Sequence, residues 1–167
     1  MSRTTENLKT AFAGESQANR KYLAYAERAA ADGMPNVAKL FRAAADAETV
    51  HALRHWRALG MIRDTVQNLE DALAGETYEV DQMYPPMLAQ AQADQEISAQ
   101  HAFRGALEAE RVHVALYSKA LNSVRSGQDI EEFRAWTCPV CGYTHAGGEI
   151  DKCPVCGVAF SKFREVL

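Results

Sequence analysis

The chain has 167 residues, of which 47% are hydrophobic and 24% are charged, and its formal net charge is -4. This apolar content is enough for one sizeable core with a small appended domain, and the acidic balance provides no basic surface for a nucleic acid. A membrane span needs about 18 apolar residues in a row, and no such run occurs. The N-terminal stretch MSRTTENLKTAFAG also lacks the apolar core of a signal peptide, so we expect a cytoplasmic protein with no membrane partner.

Helix-forming Ala, Leu, Glu, Gln and Arg dominate the sequence up to about residue 126 and predict four long helices. Gly33-Met34-Pro35 should separate the first two helices, and Asp64 should cap the third. Pro85-Pro86 should interrupt and kink the third helix, because two backbone donors are missing there. The predicted helices cover residues 4–31, 35–59, 65 onwards and about 95–125.

Two short sequence motifs recur along the helical region. AGES and AETVH carry Glu15 and Glu48, which are 33 residues apart. AGET and AERVH carry Glu76 and Glu110, which are 34 residues apart. Because both motifs of the first pair recur in the second pair at nearly the same separation, they indicate a duplicated helical hairpin.

The acidic residues of these motifs fall on the apolar stripes of the predicted helices. Unpaired buried carboxylates would repel one another and lose hydration worth several kcal/mol each, so an empty apolar core cannot explain them. Glu and His at i, i+3 share one helix face and can bind one metal site together. A carboxylate from each of two helices plus ExxH from each of the other two is typical of ferritin-like di-iron or di-manganese bundles. The predicted ligands are Glu15, Glu48, His51, Glu76, Glu79, Glu110 and His113.

The third helix breaks the symmetry of the two hairpins, since it offers both Glu76 and Glu79 where the first supplies only Glu15. An oxidised pair of irons carries more positive charge than a reduced pair and therefore favours one more anionic ligand. We predict that Glu79 and the neutral imidazole of His51 exchange at one iron with redox state.

All four cysteines lie in the last 30 residues, in two Cys-Pro-Val-Cys knuckles that are separated by eleven residues. Gly142 and Gly157 follow the knuckles and let backbone amides approach the sulfurs. In a reducing compartment this pattern indicates metal ligation rather than disulfides. Four sulfurs suit zinc and iron alike, and a one-electron iron centre makes chemical sense beside a di-iron bundle. The predicted ligands are Cys138, Cys141, Cys153 and Cys156.

Together these motifs resemble the rubrerythrin family over the whole chain. The resemblance is carried by AFAGESQANRKY (11–22), DAETVH (46–51), AGETYEVDQMYPPM (74–87), AERVH (109–113), WTCPVCGYTH (136–145) and CPVCG (153–157). It implies an all-α ferritin-like four-helix bundle in residues 1–130 and a small rubredoxin-like β domain in residues 131–167. Two departures from the family pattern stand out. The turn at residues 91–95 lacks the usual Glu-Glu-Gly, and the short tail after Cys156 predicts a trimmed second knuckle.

The resemblance also implies roles for the predicted site residues. It implies that Glu48 and Glu110 are bridging carboxylates. It implies that one iron is bound by Glu15 and Glu79 and the other by Glu76 and His113, and that His51 replaces Glu79 on reduction. It also implies that Tyr22 and Tyr84 lie near the irons. The implied activity is reduction of hydrogen peroxide to water. Electrons would come from NAD(P)H through a reductase or rubredoxin partner and enter by the four-cysteine iron. No GxGxxG motif occurs, so the reductant must arrive on a partner protein.

The link between the second and third helices predicts a domain-swapped homodimer. These helices run parallel in a ferritin-like bundle, so the chain must return roughly 30 Å along the axis at 1.5 Å per helical residue. Residues 60–65 reach only about 20 Å when extended. We therefore expect the first two helices of one chain to pack with the last two of the other.

Two other functions remain open on the sequence alone. A ferroxidase or iron-handling protein would use the same di-iron ligands, although it has less need of a cysteine electron port. A structural or regulatory bundle with a zinc ribbon would keep the cysteines but would give the glutamates no role.

Overall fold

The structure, a computed structural model, describes residues 2–166, and it divides into two compact units, Met1–Arg63 and Asp64–Leu167. We call them the N-terminal and C-terminal units. The division does not test the domain boundary predicted at residue 130, which stays a prediction. No helix among residues 2–166 has the length and apolarity needed to cross a membrane.

The N-terminal unit is a hairpin of two helices, α1 (Arg3–Ala31) and α2 (Pro35–Ala58). The turn between them uses Gly33 at φ 75°, a conformation that favours glycine, and Pro35 opens α2, as predicted. Small side chains let the two helices approach each other closely. The buried alanines of the hairpin are Ala26, Ala29, Ala38, Ala45 and Ala52.

The C-terminal unit begins with α3 (Thr65–Tyr78), whose first turn is capped by the carboxylate of Asp64, which accepts from the backbone N–H of Gln67 at 2.8 Å. A π-helical turn (Glu79–Met83) and α4 (Tyr84–Ala93) follow. The predicted interruption of the third helix is therefore confirmed, but it starts ahead of the prolines. Pro85 and Pro86 lie in the first turn of α4, where no intrahelical donor is needed.

A tight turn leads from α4 into α5 (Ile97–Arg125), the long helix predicted from about residue 95. Gln95 adopts φ 60°, and the N–H of Glu96 donates to the carbonyl of Ala91 at 3.0 Å. This turn replaces the Glu-Glu-Gly of the family pattern and leaves α3 to α5 in the predicted order.

Three short strands, β1 (Ala135–Thr137), β2 (Thr144–Ala146) and β3 (Arg164–Val166), form an antiparallel sheet in the order β2-β1-β3. The core beneath it consists of Cys138, Cys153, Phe160 and Phe163. Both knuckles turn through glycines in the left-handed region, and the N–H of Gly157 donates to the carbonyl of Cys153 at 3.0 Å. The prediction of a trimmed second knuckle is therefore wrong, because its turn is closed by this backbone hydrogen bond, and Phe160 and Phe163 follow it in the core.

Candidate metal centres

The N-terminal unit brings together Glu15 of α1 with Glu48 and His51 of α2, the N-terminal trio, whose ligand atoms lie within 4.8 Å of one another. Residues at i, i+3 face the same side of α2, so His51 Nδ1 reaches Glu48 Oε2 at 3.0 Å. Hydrogen bonds from His51 and then Glu15 lower the pKa of Glu48, although burial opposes this. The trio is therefore a cluster of two carboxylates and one imidazole that is held by one turn of each helix.

The C-terminal unit repeats the arrangement with Glu76 of α3 and with Glu110 and His113 of α5, the C-terminal trio, again within 4.8 Å. His113 Nδ1 lies 2.6 Å from Glu110 Oε2 and 3.8 Å from Glu76 Oε1. Burial, followed by the hydrogen bond and the charge of Glu110, raises the pKa of Glu76 to about 7. Near neutral pH a proton and a metal cation would therefore compete for the Glu76 carboxylate.

The predicted ligand Glu79 starts the π turn and lies outside the mutual 4.8 Å distances of the C-terminal trio. Glu79 is nevertheless close enough to the trio to feel the charge of Glu76. Burial raises the pKa of Glu79, and the charge of Glu76 raises it further. Tyr84 is also near this trio. Burial raises the pKa of its phenol, and the charges of Glu79, Glu110 and Glu76 raise it further. Tyr22 packs on Tyr25 and Phe41, and its place near an iron stays a prediction.

The carboxylates predicted on the apolar stripes are only partly buried in the single chain. The side chains of Glu48 and Glu110 are 17% exposed and that of Glu76 is 22% exposed. A hairpin of two helices buries only the narrow strip where its helices touch, so a carboxylate beside that strip keeps some contact with water.

The donor sets fit iron. Carboxylate oxygens and imidazole nitrogens suit iron among other metals, and one ion with ligands at about 2 Å holds its donors up to about 4 Å apart. The carboxylates of each trio lie closer together than like charges favour, which a cation would relieve.

The four cysteines form the second centre, and their sulfurs also lie within 4.8 Å of one another as free thiols. The Sγ atoms of Cys138 and Cys156 are 3.5 Å apart, and those of Cys141 and Cys153 are 3.6 Å apart. A tetrahedral ion with sulfur ligands at 2.3 Å requires about 3.8 Å, so the set is preformed for a metal. Burial raises the pKa of Cys141. Burial acts in the same direction on Cys138, but backbone hydrogen bonds from Cys141 and Val140, together with side-chain hydrogen bonds from Cys156 and Cys141, outweigh it and lower the pKa of Cys138.

Two residues that the sequence did not single out connect these centres within the C-terminal unit. Thr144 of β2 places its hydroxyl 2.8 Å from His113 Nε2. A Cβ added to Gly105 of α5 would lie 3.2 Å from the Cβ of Cys141, so the first knuckle approaches α5 closely. An isolated glycine inside a helical pattern is a signal for such an approach, whereas nothing local marks Thr144.

Comparisons with known proteins agree with this geometry. The family profile described as Rubrerythrin matches residues 6–121, and the profile described as Rubrerythrin, rubredoxin-like domain, matches residues 136–164. The chain is 36% identical to Rubrerythrin-2 of Clostridium acetobutylicum, covering 96% of this chain and 95% of that one. It is 38% identical to nigerythrin of Nitratidesulfovibrio vulgaris, covering 92% of this chain and 81% of that one.

Solved structures of nigerythrin are similar as well. Its fully reduced, all-ferrous state aligns with a TM-score of 0.58 at 32% identity, covering 99% of this chain and 88% of that one. Its mixed-valent state aligns with a TM-score of 0.57 over the same shares. The predicted fold class is confirmed, and the two kinds of ligand cluster correspond to a non-haem di-iron centre and a four-cysteine iron centre.

Proposed function

The chain belongs to the rubrerythrin family, and from that premise we propose that it is a peroxidase that reduces hydrogen peroxide to water at its di-iron centre. The observation that carries the proposal is the presence in one chain of two Glu-Glu-His trios and a four-cysteine site. The trios provide a two-electron site, and the cysteines provide a port through which single electrons can enter. This makes the protein an oxidoreductase that serves in oxidative-stress defence.

The chain's own residues hold the site and manage protons. When iron is bound, two adjacent ferrous ions supply the two electrons and two Lewis-acid positions that cleavage of one O–O bond requires. Glu48 and Glu110 are the proposed bridging carboxylates, with the other five predicted ligands around them. Burial and the nearby carboxylates keep the phenol of Tyr84 protonated, so its Oη can donate a hydrogen bond or a proton at the site.

We further propose that Glu79 and His51 exchange at one iron with redox state. Within one chain the His51 side chain is 51% exposed and is hydrogen-bonded to Glu48, so the chain itself does not lock its imidazole in place. Glu79 lies beside Glu76 on a π-helical turn, a geometry often found at functional sites. Crystal structures of the iron-loaded protein with Glu79 bound and His51 unbound in both redox states would contradict the exchange.

Electrons would come from NAD(P)H through a partner reductase or a rubredoxin. Cys156 is exposed, and Val140 beside the first knuckle is 66% exposed, so a donor protein can approach the sulfurs. Thiols kept free for iron favour a reducing compartment, which supports a cytoplasmic location.

The proposed active form is a domain-swapped homodimer. Each unit carries one trio, and only residues 59–64 link α2 to α3. In the dimer the N-terminal trio of one chain completes the site of the C-terminal trio of the other, as the length of the link requires.

Anaerobic stopped-flow spectroscopy of the iron-loaded, fully reduced protein tests the peroxidase. We expect three irons per chain, with both centres oxidised much faster by hydrogen peroxide than by oxygen. The variant E110A should lose the di-iron reaction, whereas E108A, which removes a carboxylate paired with Arg111 on the same helix, should keep it. Faster reaction with oxygen and repeated turnover of added ferrous iron would indicate a ferroxidase. Zinc alone in the cysteine site would indicate a structural bundle.

A further inference from the structure

We propose that Thr144 of the rubredoxin-like domain is a positioning residue for His113, and that through it each chain's four-cysteine centre is docked on its own α5. The inference rests on the proposed role of His113 as an iron ligand. It concerns how that ligand is held and which chain's cysteine centre faces it, and it is independent of whether peroxide is the substrate.

Both ring nitrogens of His113 are engaged. Nδ1 faces the carboxylates of the C-terminal trio, at 2.6 Å from Glu110, and Nε2 lies 2.8 Å from the hydroxyl oxygen of Thr144. A neutral imidazole that offers the Nδ1 lone pair to a metal carries its proton on Nε2. Nε2 then donates to Thr144 Oγ1, and such a bond fixes both the tautomer and the orientation of a ligating histidine.

The duplicated histidine provides an internal comparison. His51 stands in the same ExxH motif, and its Nδ1 lies 3.0 Å from Glu48, but no partner of its Nε2 is found among residues 2–166. Its side chain is 51% exposed, against 25% for His113. Within one chain, therefore, His113 is held at both nitrogens and His51 at one, which matches a permanent ligand and an exchanging ligand.

The close approach between Gly105 of α5 and Cys141 of the first knuckle positions Thr144 beside His113. The Cβ of Cys141 lies 3.2 Å from where a Cβ of Gly105 would be, so any side chain there would push the first knuckle away from α5. Thr144 follows Cys141 by three residues, and Gly105 precedes His113 by eight. Eight helical residues span about 12 Å, so the knuckle and the imidazole are near neighbours along α5. Glycine is unfavourable within a helix, and this contact is a physical reason for it.

The test compares hydroxyl variants of the full-length protein with its four-cysteine iron in place. T144V removes the hydroxyl but keeps the branched shape, T144S keeps the hydroxyl, and T144A is a second hydroxyl-free variant. T137V is the matched control, because Thr137 pairs with Thr144 across β1 and β2 and so shares its face of the sheet. Anaerobic titration with ferrous iron gives the affinity of the di-iron site. Proton NMR of the ferrous protein, prepared with ring-15N-labelled histidine, follows the shifted imidazole N–H signals.

We expect T144V and T144A to weaken ferrous binding about 10- to 100-fold, the usual effect of losing such a partner, and to speed exchange of the imidazole N–H with water. T144S and T137V should resemble the wild type. Absorption of the four-cysteine iron should be unchanged in all four variants. Wild-type affinity and exchange in both hydroxyl-free variants would overturn the proposal.

Gly105→Val tests the docking separately. It leaves Thr144 intact but should displace the knuckle and speed the same N–H exchange. Unchanged exchange in G105V would refute docking within the chain. If these effects appear but peroxide does not oxidise the reduced protein faster than oxygen does, the peroxidase proposal fails and the positioning role stands.

Discussion

At the scale of single residues, the most informative group is Glu76. Its side chain is 22% exposed, and burial, followed by its contact with Glu110, raises its pKa to about 7 from an ordinary value of 4.5. A carboxyl group with a raised folded-state pKa stabilises the fold when protonated. That contribution is complete below pH 4.5 and is lost as the pH rises through about 7. Metal binding must displace this proton, so iron and pH act on the same oxygen atoms.

We predict that the metal-free protein loses thermal stability between pH 4.5 and pH 7, and that E76Q makes this loss smaller because the amide cannot ionise. Circular dichroism melts at closely spaced pH values measure the effect. The control E108Q removes a surface carboxylate of α5 and should keep the wild-type pH dependence. An equally steep loss of stability in E76Q would show that Glu76 is not the responsible group.

At the scale of elements, a buried polar side chain joins the two helices of the hairpin of α1 and α2. Asn19 is 8% exposed, and its Nδ2 donates to the carbonyl of Ala45 at 2.7 Å and to the hydroxyl of Thr49 at 2.8 Å. Asn19 follows Glu15 by four residues, so helix periodicity puts both on one face of α1, but the sequence could not indicate the partners of Asn19 on α2. Helix limits were predicted within about two residues because caps and glycine turns are local signals, whereas the π turn was not predicted.

We predict that N19A destabilises the protein by about 1–3 kcal/mol, because the amide's two buried hydrogen bonds are lost and the acceptors on α2 stay out of water. Urea unfolding followed by circular dichroism gives the change in free energy. Q17A, on an exposed position of the same helix, should change stability by less than about 0.5 kcal/mol. Equal effects of the two substitutions would mean that the buried amide contributes nothing specific.

At the scale of the whole molecule, the chain is divided into two units that carry one trio each. The helices α2 and α3 end and begin close to the predicted positions, so the link that led to the swapped dimer is as short as the sequence indicated. The dimer itself stays a proposal, and it has a consequence that an unswapped dimer lacks. If one chain lacks a ligand of its N-terminal unit and the other lacks a ligand of its C-terminal unit, a swapped dimer of the two chains still contains one complete site.

We predict that E48A and E110A homodimers each lack a working di-iron site, and that a heterodimer purified with two different tags regains one complete site. In the swapped arrangement the intact N-terminal trio of one chain meets the intact C-terminal trio of the other. Iron content and peroxide-driven oxidation of the reduced heterodimer measure the recovery. An unswapped heterodimer would leave every site with a missing ligand, and no recovery would therefore contradict the swap.

The sequence by itself determined the helices, the ligand types and the two iron centres, because helix periodicity, capping and the ExxH and CxxC spacings are all local patterns. It could not determine how far the carboxylates are buried, where the π turn lies, or that Thr144 meets His113 across 31 positions of the chain. The contact of Thr144 with His113 depends on how closely α5 and the first knuckle approach each other, and the burial of the carboxylates depends on which helices pack beside them. Only the tertiary structure decides these two features, because they result from the packing of residues that are remote in sequence.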